Sequence, residues 1–166
     1  MTSDVTAQHA PPFRRPAEEV LGALARRGWT VAVAESLTGG LVTSALVDVP
    51  GASASVRGGV VAYSAEVKRD VLGVEADRLS TAGAVDAAVA RQMAEGVRRI
   101  MRADVGIATT GVAGPEPQDG QPVGTVWIAV VTPSGESTIR HAFEGDRPAI
   151  RRQTVDAVLA ETIRQL

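Results

Sequence analysis

VAVAESLTGGLVTSALV, Val31 to Val47, places an acid, two hydroxyls and a glycine pair between an apolar run and an amphipathic one. The run from Thr30 to Ala34 is short, apolar and rich in β-branched residues, which predicts a buried strand. After Gly40, Leu41, Ala45 and Leu46 recur at helical spacing, and Pro50-Gly51 marks the turn that ends this helix. A strand that turns through glycine into a helix opens an α/β unit, and the rest of the chain is read outward from it.

Upstream, Val20, Leu21 and Leu24 form one apolar helical stripe from Ala17 on, with Gly28 as its C-terminal stop. Residues 1–16 are polar, carry a Pro pair and show no period, so they read as a flexible tail that takes His9 with it. Downstream, GGVVAY (Gly58 to Tyr63) is a second apolar run, and AEVKRDVLGV is a short helical segment. A helix from Asp86, its N-cap, to about Met101 places Val89, Met93, Val97 and Ile100 on one face. VGIAT, GTVWIAVV and STIRHAF follow as strands, and a last helix starts near Asp146 with Pro148 tolerated in its first turn. Helices alternating with strands early and adjacent strands late predict one three-layer α/β domain, 17–166, whose mixed sheet is flanked by helices.

Composition narrows the chemistry. The chain of 166 residues has no cysteine, which excludes disulfides, thiolate catalysis and Cys-ligated zinc. With only two histidines, neither a metal nor another cofactor is implied. A formal charge of −2 with both signs mixed offers no footprint for nucleic acid or an anionic membrane. The apolar runs are too short to span a bilayer and the N-terminus has no signal-peptide order, so a cytoplasmic protein is expected.

In open α/β sheets ligands sit beyond the C-terminal ends of the strands. Polar and glycine residues gather there three times: Glu35, Ser36, Thr38, Gly39 and Gly40; Tyr63, Ser64 and Lys68; Thr109, Thr110, Gly111 and Gly114. Two readings of the first cluster stand side by side. Either Ser36 or Thr38 caps the helix and the glycines permit the turn, or free helix amides receive a phosphate or a developing oxyanion. ESLTGG lacks the spacing and the lysine of a P-loop. Lys68 is either a solvated charge on a short amphipathic segment or a partly desolvated base for Ser36. Tyr63 is a core-edge residue or a hydrogen-bond donor, and Thr110 ends a strand or meets a ligand. Among Arg147, Arg151 and Arg152, which oppose the dipole of the last helix, two are read as solvated and one as a ligand contact. His141 is expected on the packed side with its hydrogen bonds satisfied, and Trp127 in the core.

AESLTGG, GGVVAYSAEVK, GAVD, TTGVAGP, PVGTVWIAV and FEGDRPAIRRQ, in this order, resemble the C-terminal domain of the competence/damage-inducible protein A family, which includes stand-alone nicotinamide mononucleotide deamidases. The resemblance covers about Ala17 to Gln165. It implies hydrolysis of the carboxamide of nicotinamide mononucleotide, with Ser36 as nucleophile, Lys68 as general base and Tyr63 assisting. Thr38, Gly39, Gly40, Thr110, Gly111, Gly114 and Arg147 would bind the nucleotide substrate, and a homodimer or higher homo-oligomer is implied. In this reading Ser36 stands at a helix N-terminus whose amides stabilise a tetrahedral oxyanion.

The sequence departs from the family at Leu37, where cysteine is frequent, at Asp86, where serine is common, and in the acidic loop EPQDGQ, which bears on substrate access. Longer members carry an additional N-terminal domain, whose activity is not expected from a tail. A nucleotide-binding module without turnover, and an amidase for another small carboxamide, remain the alternatives.

Overall fold

The large and small side chains of VAVA alternate, and the sheet uses that alternation to meet two different helical layers. The computed structural model describes residues 13–166. In chain order its elements are α1 (Arg14–Arg27), β1 (Val31–Glu35), α2 (Leu41–Val47), β2 (Val56–Val61), α3 (Ala65–Asp70), α4 (Ala76–Ala82), α5 (Ala87–Ile100), β3 (Val105–Gly111), β4 (Thr125–Thr132), β5 (Gly135–Ala142) and α6 (Arg147–Gln165). The five strands form one mixed sheet, as the sequence led us to expect, and their order is β2-β1-β3-β4-β5. β1 runs parallel to β2 and β3, while β4 and β5 are antiparallel to their neighbours.

Val31, Val33, Val105, Ile107, Val126, Ile128 and Val130 point into one core with residues of α1, α2 and α6. Ala32, Ala34, Ala108 and Ala129 point to the other face, against Val89, Ala90, Met93, Ala94 and Val97 of α5. Small residues on that face let α5 lie close to the sheet. A Cβ at Gly106 would run into the Ala94 carbonyl, and one at Gly96 into the Leu72 carbonyl. Period-2 patterning within an apolar strand thus fixes which helix packs where.

Several boundaries differ from the sequence reading, each for a local reason. α1 starts at Arg14 rather than Ala17, so Arg14 to Pro16 are helical; the remainder of the expected tail, with His9, lies outside the described residues. Ion pairs Arg14–Glu18 at 2.8 Å and Arg15–Glu19 at 3.3 Å span this first turn, where Pro16 costs no hydrogen bond. α4 went unread because none of its residues is buried, which leaves no apolar period to detect. Ile100, placed on the packed face of α5, is exposed at the end of that helix, and Trp127 is half-buried against the α5 layer rather than enclosed. His141 is not satisfied: its ring stacks on Phe143 with centroids 4.9 Å apart, and Nε2 finds no partner among the described residues. Among the described residues no helix is long and apolar enough to cross a membrane.

Candidate active site

β1 is the strand at which the chain turns first to one side of the sheet, to β2, and later to the other, to β3; a crevice opens beyond the strand ends at such a switch point. Register brings the ends level. Glu35 pairs with Val61 on one side and Thr109 on the other. The pairing continues past the strands, with the Ala62 amide donating to Glu35 O at 2.8 Å and the Ser36 amide to Thr109 O at 3.0 Å. Ser36 therefore leaves the sheet with its backbone held on both sides.

Lys68 reaches the same point from α3. Ser64 caps this short helix by accepting from the Val67 amide at 3.3 Å, and Lys68 turns back beneath it. Its side chain is 1% exposed. Nζ donates to Ala62 O at 2.7 Å and to Ser36 Oγ at 3.0 Å. Lys68 is thus buried rather than a solvated charge. Loss of solvent pushes its ammonium from the 10.5 of an ordinary lysine down to about 8, partly offset by the field of Asp119. Lys68 is also the chain's one lysine beside sixteen arginines. That was a signal the sequence reading passed over, since arginine cannot give up its proton and lysine can.

A cavity of about 140 Å³ opens over this pair, lined by residues from the three strand ends, the shoulder Ala84-Val85, the loop after β3 and Arg147. Thr110, Gly111 and Gly114 line it, although the Thr110 hydroxyl is already committed to Ala84 O at 2.8 Å. Arg147 stands at the rim, donating to Gly114 O and to Tyr63 Oη, each at 2.8 Å. Tyr63 is 63% exposed, and its hydroxyl meets Arg147 rather than Ser36 or Lys68. It belongs to the rim.

Three expected binding residues do not reach the cavity. Thr38 is fully buried with Oγ1 2.7 Å from Thr109 Oγ1, and Gly39 and Gly40 supply the positive φ of 57° and 102° that the turn into α2 requires. The expected oxyanion hole at the start of α2 is also overturned. Glu35, fully buried, takes those amides: Gly40 and Val42 donate to Oε2 at 3.0 Å each, and Thr43 donates to Oε1 through its amide at 2.8 Å and its hydroxyl at 2.7 Å. Glu35 is thus a helix cap placed ahead of the turn it spans. Glu35→Ala strands several of these donors and should lower stability by about 3 kcal/mol. A urea midpoint that stays at the wild-type value would contradict this role.

Arg151, read as solvated, is the other unforeseen contributor. One helical turn beyond Arg147, it donates from Nε to Leu37 O at 2.9 Å and from a terminal nitrogen to Thr38 O at 3.0 Å, which pins the carbonyls of the two residues after Ser36. Among the described residues no three His, Asp or Glu side chains gather where they could hold a metal ion.

Residues 14–166 match the family model described as the CinA C-terminal domain. A CinA-like protein of Frankia casuarinae is 51% identical over 140 residues, covering 84% of this chain and 32% of its own length. A CinA-like protein of Anaeromyxobacter dehalogenans is 50% identical over 137 residues, covering 81% of this chain and 33% of its own. The chain spans about a third of these curated relatives. Among solved structures, competence damage-inducible protein A of Klebsiella pneumoniae superposes with a TM-score of 0.89 at 38% identity, over 92% of this chain and 96% of that one. A competence/damage inducible protein of Agrobacterium tumefaciens gives 0.88 at 35% identity, over 93% and 96%. By sequence and by fold, the chain belongs to the CinA C-terminal domain family.

Proposed function

We propose that this domain hydrolyses the carboxamide of nicotinamide mononucleotide to nicotinate mononucleotide and ammonia, without a metal, through a Ser-Lys pair. The observation that carries the reading is the 3.0 Å contact between Ser36 Oγ and a buried amine depressed to about 8. A solvated lysine holds its proton almost completely at neutral pH, whereas a value of about 8 leaves roughly a tenth of this one as the free amine that can take the serine proton.

Once Lys68 is neutral, its lone pair takes the Ser36 proton as Oγ attacks the carboxamide carbon. The tetrahedral intermediate collapses when Lys68 returns that proton to the leaving nitrogen, releasing ammonia and leaving an ester on Ser36. Water, deprotonated by Lys68, then cleaves the ester to give the carboxylate and restore the serine. With the α2 amides held by Glu35, the oxyanion donor is assigned to the Leu37 amide, the N–H that follows the nucleophile. The Gly39 amide, donating to Ser36 O at 3.1 Å, holds that peptide, and Arg151 holds the next two carbonyls.

A cavity of about 140 Å³ is smaller than the ~300–1,000 Å³ typical of sites that enclose a whole drug-sized ligand, so it takes the reacting end while the ribose phosphate lies over the rim. There Arg147 uses two of its five N–H donors on Gly114 and Tyr63, leaving others for a phosphate. The protein acts in the cytoplasm as a homo-oligomer in this reading.

Two expectations follow. kcat/KM should rise with pH through an acidic limb near 8, the value of Lys68 in the free enzyme, because only its neutral form accepts the serine proton. A profile flat from pH 6 to 9 would remove Lys68 as base. Substrate choice should depend on phosphate: nicotinamide mononucleotide should exceed its riboside and free nicotinamide in kcat/KM, and Arg147→Ala should cut that preference about tenfold or more. Equal efficiency on the riboside in the wild type would favour a general carboxamide hydrolase.

A further inference from the structure

The acidic loop EPQDGQ, residues 116–121, contributes two residues, Glu116 and Gln118, to the lining of the cavity. Its tip is a tight turn. Gln118 and Gln121 exchange backbone hydrogen bonds at 3.1 and 2.8 Å, with Asp119 and Gly120 at φ 50° and 72° between them. Asp119 reaches from this turn to the 83–84 segment, where its Oδ2 accepts from the Ala84 amide at 2.9 Å. The contact needs glycine at the preceding residue: Gly83 has φ 76°, and a Cβ there would lie 2.6 Å from the Asp119 side chain. From the other side, Ala84 O accepts from Thr110 Oγ1 at 2.8 Å. One peptide segment is thereby tied to β3 below and to the loop above.

We infer that Asp119 is a positioning residue, whose carboxylate latches the 116–121 loop onto the Gly83-Ala84 shoulder and so sets the cavity wall that faces Ser36 and Lys68. The inference deepens the amidohydrolase reading and rests on it for its catalytic consequence. The latch also sets charge at the site. Glu116, Tyr63 and Arg147 share the cavity with Lys68, and Asp119 is the carboxylate whose field raises the Lys68 value against the effect of burial. A free loop takes both the wall and that field away.

Two variants separate the contact from the charge. Asp119→Asn keeps an acceptor and tolerates the left-handed turn, while Asp119→Gly removes the acceptor without straining the backbone. Because the chain has a single lysine, the 13Cε resonance of labelled lysine titrates Lys68 alone. In Asp119→Asn, Ala84 amide exchange should stay close to wild type, while the Lys68 midpoint and the acidic limb of kcat/KM both move below about 8. In Asp119→Gly, Ala84 exchange should accelerate at least about tenfold and KM for nicotinamide mononucleotide should rise more than kcat falls. Unchanged Ala84 protection in Asp119→Gly would overturn the latch, and an unmoved Lys68 midpoint in Asp119→Asn would overturn its effect on charge at the site. A wild-type enzyme inactive on nicotinamide mononucleotide would instead overturn the functional reading, and exchange and titration would still decide the latch.

Discussion

Ser36→Ala should lower kcat by at least about a thousandfold while the protein stays folded and still binds substrate. The hydroxyl is asked to form the covalent intermediate, and no other serine or threonine hydroxyl is held against Lys68 Nζ among the described residues. Its structural share is small by comparison. The peptide is fixed by the Ser36 amide on Thr109 O and by Arg151 on the next two carbonyls, neither of which involves Oγ. Wild-type turnover in this variant would leave activated water as the nucleophile.

Lys68→Met should be almost as damaging to turnover, yet should not lower thermal stability at neutral pH. Methionine has nearly the shape of the buried stem and no charge to desolvate. The depression from 10.5 to about 8 corresponds to about 3 kcal/mol of folding free energy withheld while the amine is protonated in the fold. Below about 8 folded and unfolded chains both carry the proton and this cost is complete. Between about 8 and 10.5 the unfolded chain binds more protons than the fold, so this group makes stability rise with pH. Removing the amine relieves the cost and offsets the loss of its bonds to Ala62 O and Ser36 Oγ. A variant that unfolds at neutral pH would show Lys68 to be a structural residue; one that stays folded and turns over at the wild-type rate would show that it is not the base.

The fold was legible where one segment carries its own signal. VAVA, the glycine pair and the following stripe spell strand, turn and helix; Asp86 caps α5 as the sequence indicates, and α6 starts beside Asp146, where the last helix was expected. The pairing of Ser36 with Lys68 rests on register between β1 and β2, which no local pattern encodes; the residues offered it as one of two readings, and the resemblance chose it. Glu35 escaped recognition as a cap because it stands five to eight residues ahead of the amides it receives, outside the capping-box spacing. Arg151 escaped because its partners lie 113 and 114 residues away, and a charged residue in the first turns of a helix reads as solvated. Lys68 sits on a segment whose pattern reads as surface, and only the tertiary fold buries it.

The central claim is most directly tested by incubating the purified protein with nicotinamide mononucleotide and quantifying ammonia and nicotinate mononucleotide together, beside Ser36→Ala. The Ser-Lys account predicts the two products in equal amounts from the wild type and neither from the variant. Intact nicotinamide mononucleotide, or free nicotinamide released by cleavage at the ribose, would contradict it.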